Sequence, residues 1–517
     1  MKKFVVLGIL VVFLLGVTTL AFGIDPKRDY RGITIRITVN QAGKEGPISG
    51  PLYKAAKIWE EQTGGKVEVV EIPFTSHYPK MMEDLITGAG NFDASMIGSW
   101  WLGDLIAGDF VVPIDDYYKK GIHPYWNKDW LPPSLQILHK WGNKWYGVPN
   151  DSDGQILYYR DDILRNPEYQ KKFKEKYGYD LPVPPKTWQQ TLDIARFFTG
   201  WDWSGDGKPD YGFVMHLKVG GQGMFHFMSL SAPFVLNPKN PKLYWFDPEN
   251  MKPLIKSPGH KKALEFLLEL AKTGPKAQTS WDLGEAWDFF MQGNALMTFS
   301  WGDVGSLVQD PKRSKIRGKL GCAVIPGTLE SYDLVRNEWV KFDPSNPNVV
   351  GNTTGGSWHG VIFKHSKHPE AVYDYLSLMA TKDFSLWNVA NGWTGVDPGW
   401  KIHFLRPIGV ASIRDYIHYG WDPGDVVEYL AAYYDNFYAK IMFPYLMIPG
   451  TFEYWNALDI HLSEAVTGQK SVDAALDAIY KDWENITNKN GRKEQLKLYR
   501  ESIEWTKEDD AEYKKYH

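Results

Sequence analysis

Val148-Pro149-Asn150-Asp151-Ser152-Asp153-Gly154-Gln155-Ile156-Leu157-Tyr158-Tyr159-Arg160 changes character halfway along. Its first part is turn chemistry: Pro, Asn, Asp, Ser, Asp and Gly in one short run. Its second part, Ile156 to Tyr159, is apolar and β-rich, and Asp161-Asp162 then opens a helix. Asp151 and Asp153 therefore sit on a loop that feeds directly into a strand. In open α/β sheets ligands bind at such strand ends. The stretch reads as the rim of a cleft, where one lobe hands the chain to the next; an ordinary polar loop before a strand has the same local pattern.

Upstream, Ile33 to Asn40 alternates Ile, Thr and Val, the period of a strand. Leu52, Ala55, Ala56 and Trp59 then recur at helical spacing until Gly64-Gly65 stops them. Lys66 to Ile72 predicts a second strand, Tyr78 to Ile86 a second helix and Asp93 to Ile97 a third strand. Alternating strand and helix predicts a parallel α/β lobe. Downstream, Thr187 caps a helix running through Phe198. Leu296 to Phe299, Leu320 to Ile325 and Trp358 to Phe363 read as strands, and 331–352 as a polar, irregular insertion.

With 517 residues the chain is too long for a single core. The 58 basic residues nearly balance the 62 acidic ones, which argues against nucleic acid as a partner. Cys322 is the only cysteine, so no internal disulfide and no cysteine-built metal site can form. Lys2 and Lys3 precede an apolar run from Phe4 to Leu15, and Ala21-Phe22-Gly23 offers a cleavage site. Residues 1–23 therefore read as a secretory signal peptide, with an uncleaved anchor as the alternative. The mature protein is expected in the periplasm or outside the cell. Aromatic residues make up 15% of the chain, with 23 Trp among them, which suits a surface that stacks on flat ligands.

Several segments, in order, resemble the bacterial extracellular solute-binding family that includes maltose-binding protein. They are Phe92 to Met96 with Leu105 to Asp115, Val148 to Asp161, Pro185-Lys186-Thr187-Trp188, Phe290-Met291-Gln292-Gly293-Asn294-Ala295-Leu296-Met297, Gly356 to Ile362, and Gly468 to Leu476. The resemblance implies an α/β, two-lobed periplasmic-binding-protein fold, type II-like, that encloses its ligand by hinge closure. Crossover strands are expected near 150–156, 352–358 and about 410–420. The N-terminal lobe would then comprise 24–154 and 356–415, and the C-terminal lobe 155–355 and 416–517. Trp455 falls where the family's late-helix Trp matches. The implied partners are an oligosaccharide and the permease subunits of an ABC importer, with the protein itself a monomer.

A sugar ring offers an apolar C–H face and a rim of hydroxyls; aromatic planes suit the first and Asp, Asn and indole N–H the second. The candidates at strand ends and crossovers are Asn40, Trp100, Trp101, Asp151, Asp153, Trp301, Asp303, Trp358, Trp393 and Trp455. Each Trp is equally a core former. A separate signal lies in Asp202-Trp203-Ser204-Gly205-Asp206-Gly207-Lys208-Pro209-Asp210. Oxygen donors at the first, third, fifth and ninth places (Asp202, Ser204, Asp206, Asp210), Gly at the sixth and the Lys208 carbonyl at the seventh copy the start of an EF-hand calcium loop. Phe213 stands where the bidentate Glu is expected, so a structural Ca2+ would need another ligand; a solvated turn is the alternative. No nucleophile or metal-hydrolase motif is present. A carbohydrate-binding transport protein is thus expected, not an enzyme. The alternatives are a secreted glycoside-acting enzyme, which needs two carboxyls about 5–10 Å apart, and a peptide-binding protein on the same fold.

Overall fold

A computed structural model of the chain describes residues 28–121 and 126–517. The expected signal peptide, residues 1–23, lies outside the described residues. Among those described, no helix is long and apolar enough to cross a membrane.

The first lobe opens with β1 (Thr34–Asn40), whose Ile35, Ile37 and Val39 share one buried face. α1 (Ser49–Thr63) buries Leu52, Ala55, Ala56 and Trp59, the stripe predicted from spacing. Gly64 ends it at φ 74° and donates to the Glu60 carbonyl at 2.9 Å, a conformation a Cβ would resist. β2 (Lys66–Ile72), α2 (Phe74–Thr87) and β3 (Ala94–Ile97) follow. β4 (Val148–Pro149) is the last strand before the chain leaves.

The second lobe is built on β5 (Ile156–Arg160), β6 (Tyr211–Phe213), β7 (Ala295–Ser300) and β8 (Leu320–Ala323). Between β6 and β7 lies α3 (Met224–Val235), buried on every side. The 331–352 stretch, expected to be irregular, supplies most of a small hairpin, Glu330–Asp333 against Glu338–Lys341. The chain returns to the first lobe as β9 (His359–Ile362). α4 (Pro423–Phe437) and α5 (Thr451–Val466) come later. The third passage is made by loops and a helical turn at Ile413–Ile417, not by the strand expected near 410–420.

Two main sheets result, beside two small hairpins, in the orders β2-β1-β3-β9-β4 and β8-β5-β7-β6. The first is mixed where the alternation predicted it parallel. β1 runs parallel to β2 and β3, but β9 enters from the other lobe and pairs antiparallel with both β3 and β4. In the second sheet β5 is antiparallel to β7 and β8.

The two crossovers lie side by side between the sheets. Asp151 N donates to the Trp358 carbonyl at 3.0 Å. Gln155 N donates to Asn352 Oδ1 at 2.7 Å, and Asn352 Nδ2 returns a bond to the Gln155 carbonyl at 2.8 Å. A loop after the chain's return joins them through Asp397 N, 2.7 Å from Asp151 Oδ1.

Candidate functional site

Turn residues end each strand of the first sheet on the side facing the second lobe, and there the aromatics gather. Trp100 and Trp101 form a helical turn after β3. Trp100 stands edge-on to Trp101 at 5.7 Å and to Trp358 at 5.3 Å between ring centroids. From the other lobe Trp455, on α5, comes within 5.8 Å of Trp100. Phe225 on α3 packs edge-on against both Trp455 (5.2 Å) and Trp301 (5.5 Å), and Phe74 meets Phe452 across the gap at 6.1 Å. Of these rings Phe74, Trp100, Phe225, Phe452 and Trp455 line a narrow crevice of about 40 Å³, to which Gln222, Asn456 and Asp459 add polar groups. That is well below the span usual for small-molecule sites, about 300–1,000 Å³, so a ligand enters only when the lobes part.

Backbone close approach holds the wall in place. A Cβ on Gly356 (φ 98°) would lie 1.9 Å from the Trp100 ring, and one on Gly103 would lie 1.8 Å from the Met447 carbonyl oxygen, just before α5. Gln222 takes φ 68°, the left-handed region that non-glycine residues seldom adopt. The polar side of the cleft is anchored through Asp459: Oδ2 accepts from Gly220 N at 2.7 Å and Oδ1 from Met224 N at 3.2 Å. Burial lifts the Asp459 carboxyl to about 6. The indole nitrogens of Trp100, Trp101 and Trp455 and the Tyr445 hydroxyl are sealed from solvent with no protein partner. Buried donors of this kind are rare in folded proteins.

Beneath the aromatic wall, at the crossovers, four aspartates converge. Asp151, Asp153 and Asp397 each place a carboxylate oxygen within 4.8 Å of the others. Burial first, and neighbouring carboxylates after it, push all three well above the usual carboxylate range. Burial also brings Asp303, at the start of a short helix after β7, up to about 6. Trp301 Nε1 donates to the Thr354 carbonyl at 2.6 Å.

The structure thus draws Trp100, Trp101, Trp301, Trp358 and Trp455 into one aromatic region, with Asp151, Asp153 and Asp303 at its base. Asn40 is set back: its Oδ1 lies 2.8 Å from His77 Nδ1, and the His77 ring abuts Trp101. Trp393 stands apart, 39% exposed and packed on Trp387, although its loop brings Gly395 toward Asp303. The 202–210 loop is remote from these groups in its contacts. Asp202 accepts from the amides of Gly205, Asp206 and Gly207 at 2.7–3.0 Å, Asp206 Oδ1 from Lys208 N at 2.9 Å, and Asp210 Oδ2 from Ser204 N at 2.7 Å.

Phe74, Gln222, Phe225, Asn456, Asp459 and Asp397 were not among the sequence candidates. Phe452, Trp455, Asn456 and Asp459 stand at i, i+3, i+4 and i+7 of one helix, so helical spacing could have found Asn456 and Asp459. Phe225 lies in a helix apolar all round, where no periodicity separates wall from core.

Two α/β bodies, bridged by adjacent crossovers and facing one another across an aromatic cleft, define a two-lobed binding protein. The sequence profile of the bacterial extracellular solute-binding proteins matches residues 43–384, and the chain belongs to that family. Its fold is that of the solute-binding protein of Agrobacterium radiobacter K84 solved in complex with ribitol. The TM-score is 0.65, at 19% identity, over 89% of this chain and all of that one. The maltose-bound MalE3 of T. maritima superposes with TM-score 0.61, at 21% identity, over 88% of this chain and 100% of its own. A probable amino-acid ABC transporter periplasmic-binding protein of Sinorhizobium fredii is 23% identical over 314 residues. That match spans 58% of this chain and 63% of the relative's own length.

Proposed function

We propose that this protein captures a carbohydrate, a short oligosaccharide, by hinge closure outside the cytoplasm and delivers it chemically unchanged to the permease of an ABC importer. One observation carries the reading. Rings from both lobes line one cleft, and the Trp100 and Trp455 N–H groups, buried beside it, have no protein partner. Sugar C–H faces stack on such rings, and sugar hydroxyls accept from such donors. Gln222, Asn456 and Asp459 supply the complementary acceptors and donors. The solved neighbours that bind ribitol and maltose agree with a polyhydroxylated ligand.

The test is tryptophan emission titrated with a panel of glycans and polyols, with amino acids and peptides alongside, followed by analysis of the mixture. A glycan or polyol that shifts the emission of the native protein, loses its effect in Trp455→Ala and is recovered intact supports the proposal. New reducing ends would make the protein an enzyme. A response to amino acids or peptides alone would move the ligand class.

A further inference from the structure

The aspartates under the cleft carry more than a polar floor. Each of the three clustered carboxylates is pinned by one oxygen. Asp151 Oδ1 accepts from Ser152 N and Asp397 N, both at 2.7 Å. Asp153 Oδ2 accepts from Ser357 N at 2.7 Å. Asp397 Oδ2 accepts from Gly302 N at 2.8 Å and lies 3.0 Å from the Tyr433 hydroxyl. Asp151 Oδ2, in a residue only 1% exposed, accepts from no protein N–H or hydroxyl, and the carboxyl of Asp153 is the hydrogen-bonding neighbour of Asp151. Ser357 Oγ, on the residue whose amide holds Asp153, is also buried without a partner. Among the described residues none of the three carboxylates forms an ion pair with Lys, Arg or His. A buried carboxylate oxygen left so costs several kcal/mol unless a proton or a cation neutralises it.

We propose that Asp151, Asp153 and Asp397 form a calcium site at the hinge, bridging the first crossover to the loop that carries Asp397. Two oxygens on one calcium ion, each about 2.4 Å from it, lie at most about 4.8 Å apart. The three carboxylates meet that condition while their outer oxygens are already oriented by backbone amides. Asp153 lies on the first crossover and Asp397 on a loop 244 residues further along the chain, so the ion ties that loop to the hinge. The site is read without reference to the ligand in the cleft, and its test uses no sugar.

The experiment titrates the chelator-treated full chain with calcium chloride alone, by calorimetry and by thermal melting, in the native protein, Asp397→Asn, Asp153→Asn and Asp206→Asn. The expected result is a saturable event with a rise in Tm that Asp397→Asn and Asp153→Asn remove and Asp206→Asn retains, separate from any weaker event at the 202–210 loop, which Asp206→Asn alone removes. Should one hinge variant fail to fold, the other and the native isotherm still decide. No heat and no Tm rise in native protein up to about 10 mM calcium, ten times the Kd of weak extracellular sites, overturns the proposal. So does a single response, abolished by Asp206→Asn and unaffected by the hinge variants.

Discussion

The Trp301 indole nitrogen donates to the Thr354 carbonyl oxygen across 2.6 Å, joining the end of a second-lobe strand to the crossover that returns to the first lobe. Thr354 is held from its other side as well, its hydroxyl lying 2.8 Å from Asn352 Oδ1 and 3.0 Å from Ser229 Oγ. All of these groups are buried. Trp301 is therefore a brace for the hinge in addition to a wall of the aromatic region. Trp301→Phe keeps the ring and removes the donor, leaving a buried carbonyl unsatisfied. We expect a loss of about 1–3 kcal/mol, read by urea unfolding. An unchanged midpoint and slope would show that the bond contributes nothing net.

Gly356 supports Trp100 through the absence of a side chain. A Cβ there meets the Trp100 ring at 1.9 Å, and the residue's φ of 98° adds backbone strain. Gly32 has a comparable φ of 82° with nothing within 4 Å of its virtual Cβ. Gly32→Ala should cost about 1 kcal/mol, the backbone term alone. Gly356→Ala should cost at least about 2 kcal/mol more, as expected for overpacking, and should alter the near-UV circular dichroism of the tryptophans. Equal losses in the two variants would mean that Trp100 moves aside freely.

Asp459 makes a pH-dependent contribution whose sign is fixed by burial. Its carboxyl is raised from 3.8 to about 6 in the fold. The folded state thus favours the protonated form: the contribution to stability is fully present below pH 3.8 and is lost as pH rises through 6. Between those limits the native protein should lose up to about 3 kcal/mol relative to Asp459→Asn. Denaturant melts of both proteins at pH 4, 5, 6 and 7 measure the difference, and parallel curves would refute the assignment.

The hinge stretch was legible because both of its signals are local: turn residues up to Gly154, then a β-rich run from Ile156. The strands and helices of the first lobe were legible for the same reason, since burial repeats with a period of two or 3.6. The cleft was legible only in its tryptophans. Asp397 sits 246 residues from Asp151, and nothing near it in sequence marks their contact. The antiparallel β9 was hidden likewise, because strand direction depends on which lobe the chain comes from. Trp393 and Trp455 look alike as sequence, yet one is 39% exposed and the other 1%. Packing between distant elements separates them, not residue type.

The 202–210 loop allows a last prediction, distinct from the hinge. Its backbone already bends as a ligand loop does, with Gly205 and Gly207 at φ 80° and 84° and the Asp202 carboxylate drawing in three amides. Asp202, Ser204 and Asp206 are exposed, so a calcium ion there would keep several waters, and Phe213 supplies no twelfth-position carboxylate. Such a site belongs with the weak extracellular modules, with Kd of roughly 0.1–1 mM. Calcium titrations followed by calorimetry should therefore show a weak event that Asp206→Asn removes and Asp397→Asn leaves in place. Because the loop closes β6 onto the second lobe, through Gly200 N and the Asp210 carbonyl at 2.9 Å, filling it should slow proteolysis at residues 202–208. If cleavage there proceeds at the same rate with and without calcium, the loop is a solvated turn.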